Sequence, residues 1–560
     1  MNFVQSTASR LAIRLSGAVY TPPEIAAAII SVVKDTLPSK QLTILEPSVG
    51  DGAFVREMGD LLIGNKLIAL DIDPNVISIV KNSSIDRTSN SEFIVDDFIN
   101  YATSCIRENS PPADLILGNP PFIRKHNFSE KFKENIEELA TLTEYPLKDL
   151  KNSWVAFLIA SSKIVSEAGV VAFVLPYELL TVAYGQKALQ TISREFERVD
   201  IFVSKGKAFP GLDQDAIIFI GYKISEKQPG LHINHVDHMS DLKNAKVYNL
   251  SLNSKNTNSL ELNSFLLPPA ALDLLKTLRS SCPIIQDYAG SAPGIVSAAN
   301  NFFILKKSDV NRIGVESNII KVLKKGRLAS YKPIFTADDF SELEEKQPCY
   351  LLSLKGDFSN LDSNIQAYVR EGEKKGFHLR YKCRNRKNWF EVPIVPPEQG
   401  FFFKRSHEFP RVFLNEANVY LTDTAYGIKV RDGFTMKGLC YSFYNSLTFL
   451  FAETDGRFYG GGVLELSPTE FRGLPLVYHE PTPEEFSEFL EIHLKAKGCV
   501  EQILDFGDSW LMKKLGLSKD KLRIIRQAWV AVRNHRMRHS GRQVHFPLEV
   551  NNFSAPPLTR

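Results

Sequence analysis

The chain has 560 residues, of which 44% are hydrophobic and 23% are charged, and its formal net charge is only +3. This composition excludes disordered, collagen-like and disulfide-scaffold proteins, and the length predicts several domains of roughly 100–200 residues each. The six cysteines are far apart with no Cys-x-x-Cys pair, which indicates a reducing compartment and argues against a zinc ribbon. Because no stretch reaches about 18 apolar residues, we expect no membrane span and a cytoplasmic protein.

Short apolar runs separated by helix-length stretches fill the first 225 residues. The runs are Leu42–Leu45, Leu67–Leu70, Phe93–Val95, Leu115–Leu117, Val170–Leu175, Val199–Val203 and Ala216–Gly221. Strands that are apolar on both sides predict an α/β fold, a parallel sheet with helices on both faces. Ligands of such sheets bind at the carboxyl ends of the strands, where this sequence places its glycines and acids.

Glycines and acids follow the first three runs. Gly50 and Gly52 could let a ligand approach the backbone, although Val55 replaces the third glycine of a nicotinamide fingerprint. Asp71 is placed to accept hydrogen bonds from ribose hydroxyls. Asp97 could accept from an exocyclic amino group, with Phe98 stacking on a purine. A plain turn and solvated loop acids remain the alternatives.

Thr21-Pro22-Pro23-Glu24 precedes an apolar run and has the spacing of a capping box with proline at the first helical position. These residues therefore predict a helix start. The free amides of such a start also suit a ligand carboxylate.

Asn119-Pro120-Pro121-Phe122 follows the fourth run and is the sharpest signal in the sequence. Two prolines remove two amide donors and stiffen the turn. The side-chain oxygen of Asn119 and the carbonyl of Pro120 then make paired acceptors beside the ring of Phe122. Such a turn fits a planar base that carries an amino group.

In this order, the motifs resemble the gamma-class DNA amino-methyltransferases, the adenine-N6 enzymes of restriction–modification systems. The resemblance implies a class I S-adenosylmethionine-dependent methyltransferase domain, Rossmann-like, followed by an α+β target-recognition domain and a helical C-terminal segment. The implied domains are 1–225 (catalytic), 226–264 (linker or extension), 265–478 (recognition) and 479–560 (basic and helical).

The same resemblance implies roles for individual residues. S-adenosylmethionine would be held by Thr21, Glu46, Pro47, Ser48, Gly50, Gly52, Asp71, Ile72, Asp97 and Phe98. An everted adenine would be held by Asn119, Pro120, Phe122 and Phe209. Two positions depart from the family pattern: Phe122 stands where tyrosine is commoner, and Asp71 stands where glutamate is frequent. Both substitutions keep the chemistry, a stacking ring and an acid.

The second half of the chain carries a basic stretch, 371–389, interleaved with aromatic residues, which is typical of phosphate contact and base stacking. A solvated loop is the alternative. The predicted DNA-binding residues are Lys375, Arg380, Lys382, Arg384, Arg386, Lys404, Arg405 and Arg411.

The C-terminal segment begins with a second predicted capping box, Thr482-Pro483-Glu484-Glu485, and 513–542 is strongly basic. We expect 513–542 to form a helix beside the DNA backbone or a basic surface helix. His535 and His539 have helical spacing but no third ligand, so no metal is expected.

The resemblance therefore predicts a site-specific adenine-N6 methyltransferase that uses S-adenosylmethionine on double-stranded DNA. We expect a monomer whose functional partner is a separately encoded restriction endonuclease. The alternatives are a cytosine-N4 DNA methyltransferase, an RNA guanine-N2 methyltransferase and a catalytically silent DNA-binding module. Asn119 argues against the first, since serine is commoner there, and the long basic second half argues against the second.

Overall fold

The computed structural model describes residues 20–84, 90–204, 215–250, 266–267, 270–326, 329, 331–459 and 461–538. The described residues form two compact units. The first unit comprises 20–266 with 458–461 and 537–538, and the second comprises 267–457 with 462–536.

The first unit alternates strands and helices. Its strands are β1 (Thr43–Glu46), β2 (Lys66–Asp71), β3 (Ser91–Val95), β4 (Ala113–Gly118), β5 (Val165–Pro176), β6 (Arg198–Ser204), β7 (Ala216–Tyr222), β8 (Gly230–Val236) and β9 (Lys246–Leu250). Its helices are α1 (Pro23–Val33), α2 (Ala53–Met58), α3 (Pro74–Ser84), α4 (Phe98–Glu108), α5 (Glu130–Thr143), α6 (Ser153–Ile164), α7 (Glu178–Thr181) and α8 (Ala183–Ile192).

All nine strands form one sheet in the order β3-β2-β1-β4-β5-β7-β6-β8-β9. The first five in this order pair in parallel, and β7 runs antiparallel between β5 and β6. The seven predicted strands are confirmed, and the predicted parallel arrangement is broken by β7 and β9. This strand order with a reversed β7 is the class I methyltransferase fold, as predicted.

The core lies on both faces of this sheet. On β4, Ile116 packs into the apolar cluster of one face, while Leu115 and Leu117 pack into that of the other. Because side chains alternate along a strand, a run of apolar residues covers both faces. The sheet is therefore buried, and its polar residues collect at the strand ends.

Residues 226–264, predicted as a linker or extension, contribute β8 and β9 to the sheet. The strand β8 pairs in parallel with β6, and β9 pairs antiparallel with β8. On β8, His232 and Asn234 are buried, and Asn234 bonds to the carboxylate of Asp200 at 3.1 Å. The polar composition that favours a linker here reflects a polar strand whose side chains find partners inside the sheet.

The second unit is a mixture of short strands and helices. Its strands are β10 (Ala289–Pro293), β11 (Ile304–Leu305), β12 (Ile319–Leu323), β13 (Ile334–Phe335), β14 (Tyr350–Leu352), β15 (Gly400–Phe403), β16 (Arg405–Ser406), β17 (Val412–Asn415), β18 (Tyr420–Leu421), β19 (Ala425–Val430) and β21 (Val463–Glu465); β20 is Arg457–Tyr459. Two of its sheets have the orders β10-β19-β15-β17-β13 and β11-β14-β12-β18.

The helices of the second unit become longer toward its end. They are α9 (Ala271–Ser281), α10 (Ile285–Tyr288), α11 (Asn300–Phe303), α12 (Lys307–Ile313), α13 (Ala337–Lys346), α14 (Ser363–Lys374), α15 (Tyr381–Arg384), α16 (Met436–Phe443), α17 (Ser446–Asp455), α18 (Pro468–Arg472), α19 (Pro483–Ala496), α20 (Val500–Leu515) and α21 (Lys519–Met537). The predicted capping box at Thr482 is confirmed, since Thr482 and Glu485 bond to each other's backbone amides. The α+β and helical character expected here is present.

The arginines of α21 depart from the predicted basic surface. Arg536 and Glu453 are both fully buried and joined by an ion pair at 2.7 Å. Arg533, which is 1% exposed, pairs with Glu408, and Arg526 pairs with Asp505 at 2.5 Å. The prediction of a helix that offers its charge to DNA is therefore wrong for these arginines, because carboxylates inside the unit neutralise them.

None of the described helices is long and apolar enough to cross a membrane. Within the described ranges, no group of three or more His, Cys, Asp and Glu side chains could hold a metal ion. His539 lies outside these ranges.

Candidate active site

A cavity of about 540 Å³ lies at the carboxyl ends of β1, β2, β3 and β4. The parallel pairing of β1 with β2 and β4 brings these ends to one edge. The predicted residues that line the cavity are Thr21, Glu46, Pro47, Ser48, Gly50, Asp71, Ile72, Asp97, Phe98 and Asn119. Gly52, Pro120 and Phe122 do not line it, and Phe209 lies outside the described residues.

The glycine loop after β1 has a backbone that requires glycine. Gly50 has φ +54° and Gly52 has φ +77°, in the left-handed region that side chains disfavour. A Cβ atom on Gly52 would also lie 3.0 Å from Val80 Cγ2. Gly52 is thus the N-cap of α2 and a packing position, whereas Gly50 faces the cavity.

Asp71 ends β2 and is fixed by two backbone amides. Its Oδ2 accepts from the Gly50 amide at 3.0 Å, and its Oδ1 accepts from the Asp73 amide at 3.0 Å. These bonds tie the glycine loop to the next strand and hold the carboxylate at the cavity wall. The following Ile72 is 73% exposed and gives the cavity an apolar surface.

Glu46 ends β1 and has no access to solvent. Neither of its carboxylate oxygens has a hydrogen-bond partner among the described residues. Burial raises the pKa of this carboxyl well above its ordinary value, and repulsion from Asp51 and Asp71 adds to the effect. A buried acid that faces a cavity without a partner is suited to a ligand donor or cation.

Asp97 and Phe98 begin α4. The Oδ1 of Asp97 accepts from the Ile99 amide at 2.8 Å, which makes Asp97 the helix N-cap. Burial raises the pKa of Asp97. Phe98 is 2% exposed, and its ring lies 4.9 Å from that of Phe157, so it forms part of a packed aromatic wall.

Thr21 does not cap a helix. The helix α1 begins at Pro23 with Pro22 as N-cap and without a side-chain cap, so the predicted capping box is wrong. The Thr21 hydroxyl instead accepts a hydrogen bond from Asn119 Nδ2 at 3.1 Å, across 98 residues of sequence. Because the nitrogen of the Asn119 carboxamide is held by this bond, the rotation of the group is fixed, and its oxygen is oriented as a hydrogen-bond acceptor.

The turn after β4 is held from two sides. Ser48 Oγ donates to the Asn119 carbonyl at 3.1 Å. Ser153, the first residue of α6, donates its hydroxyl to the Pro121 carbonyl and accepts from the Ile123 amide at 2.8 Å. The turn is therefore rigid, with Pro120 buried and Phe122 half-buried against the core.

Two positioning side chains carry no local sequence signal. Ser153 is fully buried and lies 30 residues from Ile123, whose backbone amide donates to its hydroxyl. Asn135 on α5 donates to Asp97 Oδ2 at 3.2 Å. Neither Ser153 at the start of α6 nor Asn135 within the charged sequence of α5 reveals its partner, because the partner is set by how the helices pack.

The predicted DNA-binding residues of the second unit fall into two groups. Lys382 and Arg384 are exposed, as are Lys375 and Arg380, although Lys375 pairs with Glu371 and Arg380 donates to the Ala298 carbonyl. Tyr381 is 70% exposed beside them.

The other predicted cations have partners inside the unit. Arg386 donates to the carbonyls of Val296 and Ser297, at 2.9 and 3.0 Å, and Arg411 donates to that of Gly326 at 3.0 Å. Burial lowers the pKa of both guanidinium groups. Lys404 and Arg405 share the buried carboxylate of Glu465, at 3.1 and 2.7 Å. Arg386 and Arg411 therefore have partners within the unit, and their contact with DNA stays a prediction.

The buried carboxyl of Glu46 generates a stability prediction. Its raised pKa means that ionisation weakens the folded state as pH rises from the unfolded-state value, about 4.3, toward the folded-state value. We expect Glu46→Gln, without cofactor, to be more stable than the wild type near pH 8, and the gain to vanish near pH 4. Thermal denaturation across this range measures it.

Glu24→Gln, which changes an exposed acid on α1, is the matched control and should leave the pH profile unchanged. Equal stability of Glu46→Gln and the wild type near pH 8 would contradict the unpartnered state of Glu46.

Two family models match this sequence. Residues 64–205 match "Eco57I restriction-modification methylase", and residues 260–512 match "Type II methyltransferase M.Eco57I, C-terminal domain". The type II methyltransferase M.AccI of Acinetobacter calcoaceticus is 22% identical over 71% of this chain and 73% of its own. The type II methyltransferase M.XamI of Xanthomonas campestris pv. amaranthicola is 21% identical over 82% of this chain and 84% of its own.

Among solved structures, the chain is similar to one in a DrdV–DNA complex. The match covers 87% of this chain and 58% of the other, with 13% identity and a TM-score of 0.49.

The two family models match consecutive parts of the chain, and the two relatives span most of it. These family models and relatives together support a type II restriction–modification methyltransferase.

Proposed function

We propose that this protein transfers a methyl group from S-adenosylmethionine to the N6 amino group of an adenine turned out of duplex DNA. It would act as the protective partner of a separately encoded endonuclease. The observation that carries the proposal is the Asn119 carboxamide, which Thr21 fixes at the wall of an acid-lined cavity.

The cavity fits S-adenosylmethionine, which supplies an electrophilic methyl group on a sulfonium ion. Both the sulfonium and the ammonium of this molecule are cations, and Glu46 is a buried acid without a partner at the cavity wall. Asp71 would accept from the ribose hydroxyls, since each of its oxygens keeps a second acceptor position beside its backbone amide. Gly50 leaves room for close approach to the backbone.

The turn after β4 would orient the target amine. The lone pair of an adenine amino group is delocalised into the ring, so the nitrogen is a poor nucleophile. Acceptors at the Asn119 oxygen and the Pro120 carbonyl would bind the two amino hydrogens and localise the lone pair on nitrogen. The anchors Thr21, Ser48 and Ser153 keep these acceptors in place, so little reorganisation is needed.

Aromatic rings would hold the base outside the duplex. Eversion costs a few kcal/mol of unstacking, and stacking on an aromatic ring returns about 1–3 kcal/mol per base. Phe122, adjacent to the acceptors, is the ring for one face. Phe209, outside the described residues, is the predicted ring for the other.

Asn119→Ala should abolish methyl transfer while cofactor binding persists, because it removes one acceptor without changing the wall around Glu46 and Asp71. Mass spectrometry of nucleosides from treated DNA measures N6-methyladenine directly. Asn244→Ala, an exposed asparagine bonded to Asp241, is the matched control and should retain full activity.

Undiminished turnover by Asn119→Ala would contradict its acceptor role. The same nucleoside digest separates the rival activities. Formation of N4-methylcytosine in DNA or N2-methylguanine in RNA, with no N6-methyladenine, would refute the proposed substrate.

Cofactor binding should strengthen as pH rises. The cation favours ionised Glu46, whereas the empty site favours the protonated form because its pKa is raised, so binding releases a proton. Isothermal titration calorimetry in buffers of different ionisation enthalpy measures this proton. Glu46→Gln should bind more weakly and without the pH dependence that is specific to the wild type. A wild-type affinity that falls with pH would contradict this arrangement.

Replacing Lys382 and Arg384 with alanine should weaken DNA binding and flatten its dependence on salt, because each lost phosphate contact reduces the logarithmic slope by about 0.9. Fluorescence anisotropy at several salt concentrations gives this slope. The double variant Lys306→Ala/Lys346→Ala removes two exposed lysines elsewhere in the same unit and is the matched control. An unchanged slope for Lys382→Ala/Arg384→Ala would exclude these side chains from the DNA interface.

A further inference from the structure

Two consecutive acids after β3, Asp96 and Asp97, line the cavity, and a separate asparagine holds each of them. Asn100, one turn along α4, donates to both oxygens of Asp96, at 2.9 and 3.2 Å. Asn135 donates to Asp97 Oδ2 at 3.2 Å from α5. The two pairs are chemically alike but differ in where the asparagine comes from.

The Asp97 pair is the more constrained. Asn135 is 7% exposed and lies 38 residues from Asp97, so the bond depends on the packing of α5 against α4. The other oxygen of Asp97 caps α4 through the Ile99 amide. With one bond on each oxygen, the carboxylate plane of Asp97 is fixed in one orientation.

The surroundings of Asp97 suit a purine ring. Phe98 and Phe157 line the cavity together with Phe128 and Phe132, which pack edge to face at 4.9 Å. Burial in this apolar wall disfavours the ionised carboxylate, and the Asn135 donor opposes that effect. The Ile99 amide and Asn135 therefore both favour the acceptor form of Asp97, and Asn135 is the donor that comes from another helix.

We propose that Asn135 is a positioning residue that sets Asp97 to accept a hydrogen bond from the exocyclic amino group of the cofactor's adenine. This inference rests on the proposed function, since it concerns the base of S-adenosylmethionine. An amino-purine presents a donor at this position and an oxo-purine presents an acceptor. An Asp97 carboxylate fixed as an acceptor therefore selects adenine over hypoxanthine, and the selection depends on Asn135.

Asn135, rather than Asp97, is the informative residue to change. Substituting Asp97 would also remove the cap of α4 and weaken the helix. Asn135→Ala leaves the cap intact and removes only the bond to Oδ2. Asn135→Ser is a second variant that shortens the donor and keeps a hydroxyl, in case the alanine variant does not fold.

Calorimetric titration of the full chain with S-adenosylhomocysteine and with its hypoxanthine analogue tests the proposal. The wild type should prefer the adenine ligand strongly. Asn135→Ala should bind the adenine ligand about tenfold more weakly, because a released Asp97 makes a poorer hydrogen bond to the amino group, and should bind the analogue nearly as the wild type does. Asn135→Ser should fall between. Asn100→Ala, which releases the neighbouring Asp96, is the matched control and should leave the ratio of the two affinities unchanged.

The pH dependence provides a second readout that a purely structural role would not move. Without the Asn135 donor, the pKa of Asp97 rises further, so adenine-ligand binding by Asn135→Ala should strengthen with pH more steeply than in the wild type. The binding of the analogue should not gain this extra dependence.

Two results would overturn the proposal while leaving the proposed function intact. One is an equal loss of both ligands in Asn135→Ala, and the other is a changed ligand preference in Asn100→Ala alone. Failure of the wild type to bind S-adenosylhomocysteine would overturn the proposed function as well.

Discussion

The parallel adjacency of β1 with β2 and β4 is the constraint from which the candidate site follows. Parallel strands present their carboxyl ends at one edge, so the glycine loop, Asp71 and Asn119 meet there although they are far apart in sequence. Two hydrogen bonds then convert proximity into fixed geometry. The backbone amide of Gly50 donates to the carboxylate of Asp71, and the side-chain amide of Asn119 donates to the hydroxyl of Thr21. The bond between Gly50 and Asp71 requires β1 to lie beside β2, since Gly50 follows β1 and Asp71 ends β2.

The cavity concentrates acids at a cost to the folded state. Glu46, Asp51, Asp71, Asp96 and Asp97 all line it, and burial raises the pKa of Glu46 and of Asp97. Such an arrangement disfavours the empty protein and favours a cationic ligand, because the ligand relieves the repulsion among these carboxylates. Replacing Glu46 with a neutral residue would stabilise the folded protein but would remove this preference for a cationic ligand.

Charge in the second unit is used differently. Arg533 and Arg536 on α21 and Arg386 and Arg411 elsewhere are bound by carboxylates or carbonyls inside the unit. Guanidinium groups suit such positions because their planar donors bind several acceptors at once. The number of basic residues in a segment is therefore larger than the number of positive charges at its surface. Lys382 and Arg384, which are exposed, are among the cations that do lie at the surface.

Local sequence patterns predicted the α/β class, seven of the nine described strands of the first unit and the edge at which its motifs meet. These follow from apolar runs of strand length and from residues that succeed them directly, which are local properties. The packing of the elements sets which partner each polar side chain binds. Thr21 has the spacing of a helix cap but binds Asn119, and residues 226–264 are polar yet supply two strands. Asn135 and Ser153 acquire their positioning roles only through helix packing. Two residues that are distant in the chain form a hydrogen bond only if packing brings their polar groups together. The sequence next to either residue does not specify where packing places it.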